Sequence, residues 1–145
     1  PMDITANGNE WLLREYKKSD KLIIKELNNP DSGLKPFPLK PSKIEEDYPV
    51  WDGGGLTSEM ENEILKLESS GIIEGYYDIA ENQYGHKLGG YPSFCQPGVY
   101  FGKDFEFVFQ IASDDKANLN IVDSGTMYFA KNAKTEEWNF YCDFY

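Results

Sequence analysis

His86 and Cys95 are the two side chains of this sequence that could carry covalent chemistry, an imidazole acting as base for a thiol nucleophile. That chemistry needs the pair in contact and a third group to orient the imidazole, and the spacing offers none. The reading adopted is a structural histidine in a turn and a buried thiol. One histidine and two distant cysteines, Cys95 and Cys142, do not complete a tetrahedral zinc set without carboxylates. Asp114, Asp115, Asn118, Asn120 and Asp123 are oxygen-rich enough to suggest calcium, but the EF-hand glycine and terminal glutamate are missing, so they read as solvated turn residues. The pairs Glu45-Glu46 and Glu136-Glu137 read as surface charge, and Gly53-Gly54-Gly55 lacks the Lys-Ser/Thr of a phosphate cradle. No catalytic residue, metal or cofactor is therefore expected.

The elements that would hold any site fall into two halves. Trp11 to Tyr16 and Leu22 to Leu27 flank a polar connection and read as a hairpin, with helix as the alternative, and from Asn28 to Pro49 five prolines impose an extended traverse with short strand pieces. After Gly53-Gly54-Gly55, Ser58 with Glu61 forms a capping-box pattern. Met60, Ile64 and Leu67 make an apolar stripe, and Gly71 is a ready C′ residue, which predicts one α-helix over about 58–70. Beyond Tyr84 the period changes to two: Phe105, Phe107, Phe109 and Ile111 alternate with Glu106, Val108 and Gln110, and Trp138, Phe140, Cys142 and Phe144 with Asn139, Tyr141 and Asp143. Each run is expected to set its aromatics on one face. The polar stretches 113–118 and 123–125 read as turns.

Between helix and strands lies Gly85-His86-Lys87-Leu88-Gly89-Gly90-Tyr91-Pro92-Ser93-Phe94-Cys95-Gln96-Pro97. Adjacent glycines permit positive φ, and Pro92 pushes Tyr91 into an extended conformation, so the segment predicts a specified turn entering a strand. Gly85, His86, Gly89, Gly90, Tyr91, Pro92, Phe94 and Gln96 are its structural residues. This run, followed by Phe107-Val108-Phe109-Gln110-Ile111-Ala112-Ser113-Asp114-Asp115 and then Asp123-Ser124-Gly125-Thr126-Met127-Tyr128-Phe129, resembles the YwqG-like family, a bacterial domain of unknown function. The likeness is strongest over 85–145 and looser from about Pro36, where Tyr48-Pro49-Val50-Trp51 stands at the position of the family's proline-containing extended stretch ahead of a helix. Ile121-Val122 replaces the family's Trp-Gly. Members are commonly longer, so the chain reads as a short member or a C-terminal portion. The resemblance implies a β-rich fold, in agreement with the periodicity. The expected class is mainly β or α+β, an antiparallel, roll-like sheet with one helix.

The 145 residues are read as one domain, 1–145, with Pro1 ahead of Met2 as a tag remnant. A chain of this length can bury about 68–70% of its unfolded surface, enough for its own core. No signal-peptide pattern or long apolar run is present, and with two cysteines read as reduced thiols a cytoplasmic location is expected. Net charge is −11, and it is uneven: residues 1–40 carry seven basic and six acidic groups (+1), residues 41–145 seven and nineteen (−12). Such a field disfavours nucleic acid and anionic membrane; by itself it reads first as solubility and next as attraction for a cationic protein partner. The candidate contacts are Glu45, Glu46, Asp47, Tyr48, Trp51, Asp114, Asp115 and Asp123. The functional expectation is a non-catalytic protein-binding domain, concretely an immunity protein masking a toxin. Its alternatives are a small-molecule module, with the 85–96 turn lining a pocket, and then an enzyme of unknown reaction.

Overall fold

The computed structural model describes residues 11, 13, 15–21 and 33–145. The expected hairpin over 11–27 lies largely outside them; within them, the Asp20 N–H donates to the Lys17 carbonyl and the Lys17 N–H to the Asp20 carboxylate, closing a turn. Where the proline-rich stretch is described, from Gly33 onward, it forms no helix, as expected, and none of the expected short strand pieces either. It is fastened by the Lys35 N–H to the Ala117 carbonyl and by the Asn118 amide to the Gly33 carbonyl.

Helix α1 spans Ser58–Ser69 and is the one α-helix among the described residues. Its start differs from the capping box expected at Ser58: Thr57 is the N-cap, and its hydroxyl accepts from the Met60 N–H. Thr57 holds the β-region backbone an N-cap requires, while Ser58 is already helical. The C-terminus closes as predicted, with Gly71 at φ +72 and the amides of Gly71 and Ile72 donating to the carbonyls of Glu68 and Leu67, the Schellman pattern. Ile64 is the helix residue that is buried; it packs with Tyr76 and Ala80, and Trp51, Leu56 and Ile73 close that small core.

Four antiparallel strands make an open sheet in chain order: β1 (Lys87–Leu88), β2 (Phe105–Ala112), β3 (Thr126–Asn132) and β4 (Trp138–Asp143). The mixed α+β, mostly β architecture is the one expected. The two-faced distribution of aromatics is not. Between Phe107 and Phe109 the β2–β3 register slips, leaving Val108 as an extra residue, so the alternation changes face at that point. Phe107 packs with Val50, Phe94 and Tyr128 on the core side, whereas Phe109 stacks on Phe129 across the opposite side, ring centroids 4.3 Å apart. On that second side Phe140 lies against Phe129 and Trp11 against Phe140. A period-two pattern in the sequence runs through a bulge unchanged, which is why the four apolar residues of β2 read as one stripe.

The strand expected after Pro92 does not form either. Backbone donors there are satisfied by side chains: the Ser93 N–H donates to Gln110 Oε1, and the Cys95 and Gln96 N–H groups to Asp143 Oδ2. Gln110, 1% exposed, also donates to the Gly85 carbonyl and the Ser93 hydroxyl. The fully buried Tyr128 hydroxyl lies 2.8 Å from both the Ser93 carbonyl and Asp143 Oδ1. Burial, reinforced by the Asp143 carboxylate, pushes the Tyr128 phenol far above its ordinary pKa, so it stays protonated as a donor.

Gly90 sits at φ +73, and a Cβ there would press on the Asp47 carboxylate. Gly90→Ala therefore combines left-handed strain with a displaced buried carboxylate. A loss of about 2 kcal/mol or more is expected, seen as a fall of roughly 4–8 °C in Tm for a chain of this size; an unchanged melt contradicts this reading.

Candidate functional site

The segments 46–48 and 77–84 lie side by side and together border an open groove of about 440 Å³ lined by Glu46, Tyr48, Tyr77, Asp78, Ile79, Ala80, Glu81, Asn82 and Tyr84. Its walls are tied together by backbone and side-chain bonds. The Tyr48 N–H donates to the Glu81 carbonyl, the Asn82 amide to the Tyr48 carbonyl at 2.6 Å, and the Gln83 N–H to Asp47 Oδ1. Behind the groove, the buried Tyr76 ring meets Trp51 at 5.2 Å and its hydroxyl donates to the Pro49 carbonyl, while the Trp51 N–H donates to the Tyr77 hydroxyl. The 3₁₀ turn Tyr76–Asp78 is braced by its own Asp78 carboxylate, which accepts from the Glu74 and Gly75 amides ahead of it. The rim is thus built on fixed backbone, with Tyr77 59% and Tyr84 64% exposed.

Three carboxylates and three tyrosines line this groove, and no lysine or arginine does. Asn82 is 5% exposed, and its Oδ1 has no hydrogen-bond partner. An acceptor in that state is costly unless a donor reaches it. The arrangement suits a cation with some apolar surface: carboxylates supply charge, and tyrosine rings supply negative faces.

Of the eight partner-contact residues predicted from sequence, the groove brings together Glu46 and Tyr48. Glu45 is exposed beside Lys43, 2.8 Å away. Trp51 is half-buried against Tyr76. Asp114, Asp115 and Asp123 do not line the groove. Asp114 instead caps the 3₁₀ turn Asp115–Ala117, accepting from the Lys116 N–H, and faces His86 Nε2 at 3.3 Å. Backbone donation from Lys116, and then the histidine beside it, hold the Asp114 carboxyl below the usual range.

Asp47 departs most from the sequence expectation. Its carboxylate turns inward, accepting from the amides of Gln83 and Tyr91 and pairing with Lys87 at 2.9 Å, the two side chains 14% and 8% exposed. Burial lowers the Lys87 pKa, with Asp47 acting against that shift. In sequence Asp47 is one more acid after Glu45-Glu46, and only the fold distinguishes it.

His86 and Cys95 do not meet as base and nucleophile. The histidine has both ring nitrogens engaged: Nδ1 accepts from the Ala112 N–H, which leaves Nε2 to face Asp114. Burial raises the Cys95 thiol, and burial pushes Cys142 up to about 11; both are free thiols and poorly ionised near neutrality. Gly85 to Gln96 acts as scaffolding, with Phe94 in the sheet core and Leu88 and Gly89 edging a second open groove with Glu106, Phe107 and Lys131. Among the described residues, no three His, Cys, Asp or Glu side chains converge as a metal site.

The groove members that sequence reading missed are Tyr77, Asp78, Glu81, Asn82 and Tyr84. Their signal was present as a cluster of tyrosine and acid between Gly71 and Gly85, a stretch without periodicity.

An open antiparallel sheet with one helix and an acidic, tyrosine-lined groove defines a small α+β domain without an assembled catalytic constellation among its described residues. The chain belongs to the family described as "Domain of unknown function (DUF1963)", whose model matches residues 15–140. Neither a curated protein nor a solved structure matches it. Among the described residues no helix is long and apolar enough to cross a membrane.

Asp47→Ala removes the acceptor for two amides and leaves a buried ammonium unpaired, a change expected to cost about 3–5 kcal/mol. Glu45→Ala, at an exposed pair, is expected to cost less than about 0.5 kcal/mol. Chemical denaturation of both variants checks the contrast, and equal midpoints would mean that Asp47 is surface charge after all.

Proposed function

We propose that this chain is a non-catalytic, protein-binding domain of the YwqG-like branch of its family, and that it engages a cationic protein partner through the groove between residues 46–48 and 77–84. The observation that carries the reading is the joining of Glu46, Asp78 and Glu81 with Tyr48, Tyr77 and Tyr84 on one rigidly backed rim. Acidic charge speeds encounter with a positive partner, and exposed tyrosines supply contact area at low entropic cost. The concrete form is an immunity-type protein that masks a cationic toxin inside the cell. The chain's net charge of −11, held entirely by residues 41–145 at −12 against +1 for residues 1–40, supports that sign of partner. The groove is open to solvent, a shape suited to a protruding partner element rather than to an enclosed small ligand.

Charge reversal at the rim provides the test. Glu46→Lys with Glu81→Lys should slow association with the captured partner at low ionic strength, an effect that fades in high salt, while Tyr84→Ala should chiefly speed dissociation. Surface plasmon resonance separates the two. Association that is insensitive to both salt and reversal removes the partner reading and advances the small-molecule alternative.

A further inference from the structure

We infer that the groove takes an arginine side chain presented by the protein partner, in preference to lysine. This rests on the partner reading above and specifies its chemistry. The rim offers two kinds of surface at once, carboxylates at Glu46, Asp78 and Glu81 and phenol rings at Tyr48, Tyr77 and Tyr84. A guanidinium uses both: its planar fork donates to carboxylates, and its faces stack on aromatic rings, whereas an ammonium is a compact, strongly hydrated point charge. Asp78 already spends one carboxylate oxygen, Oδ2, on the Glu74 and Gly75 amides, so Glu46 and Glu81 are the acids with both oxygens to offer. Arginine brings five N–H donors in a fixed planar fork to divide between two carboxylates, where lysine has three on a single centre.

The test titrates the 15N-labelled full chain with Nα-acetyl-arginine methylamide, the lysine counterpart and the neutral citrulline counterpart at low ionic strength, followed by amide chemical shifts. The arginine probe should shift Tyr48, Tyr77, Glu81 and Tyr84 saturably and bind about two- to fivefold more tightly than the lysine probe. Citrulline should leave these signals in place. Glu46→Gln with Glu81→Gln should abolish the shifts, and Tyr84→Leu, at an exposed position, should weaken arginine more than lysine. Equal binding of arginine and lysine at the groove overturns the arginine preference while leaving the cationic-partner reading standing. Shifts confined to Asp114, Asp115 and Asp123, or shifts produced equally by citrulline, overturn both.

Discussion

The Asp47 carboxylate is the constraint on which the rest of the described structure turns. Its two oxygens collect the amides of Gln83 and Tyr91 and the Lys87 ammonium, three donors from one short stretch of chain beyond the helix. By doing so it fixes the extended segment 46–50 against the glycine-rich turn. The consequences reach both cores. On one side Val50 enters the sheet core with Phe94 and Tyr128, and on the other Trp51 enters the helix core with Tyr76. A buried carboxylate with so many donors avoids most of the penalty of an unpaired charge, but its removal leaves that penalty with Lys87. Gly90 is needed because its missing Cβ leaves the carboxylate room.

A second polar centre complements the first. Gln110, Ser93, Tyr128 and Asp143 form a connected buried set that replaces ladder bonds where the chain after Pro92 leaves the sheet. Networks of this kind stabilise only when each member is satisfied, and then they select one arrangement of the elements they join. Here they join β2, β3 and β4 to the irregular segment carrying Phe94. The two polar centres explain how a domain with a two-residue β1 and a single turn-rich crossing can hold a groove in place. The groove itself is a by-product of Asp47: the residues flanking it, Glu46 and Tyr48, are turned outward when Asp47 is turned in, as period two in an extended chain requires.

What could be read from the sequence was whatever depends on local pattern. The helix was legible because a stripe of Met60, Ile64 and Leu67 ends at Gly71, and the strands because aromatic residues alternate over β2 and β4. The Thr57 cap was one residue from the expected Ser58, since either hydroxyl satisfies the pattern and only backbone dihedrals separate them. The Val108 bulge was invisible, because an extra residue leaves the composition of the strand unchanged while exchanging its faces. Asp47 and the groove were missed for a different reason. Its donors lie 36 to 44 positions away in the chain, and no local pattern encodes that pairing. The candidate list accordingly caught Glu46 and Tyr48 by proximity to an acidic run and missed the neighbouring stretch from Tyr77 to Tyr84.

The central claim is that the Asp47 clasp builds the groove before any partner arrives. Native-state hydrogen exchange on the free chain tests it most directly. The account predicts that the amides of Tyr48, Gln83 and Tyr91 are protected and open together, at a single free energy, and that Asp47→Asn lowers all three while the β2–β3 amides of the sheet keep theirs. Exchange of Gln83 and Tyr91 at the rate of an unstructured peptide in the free chain would contradict it.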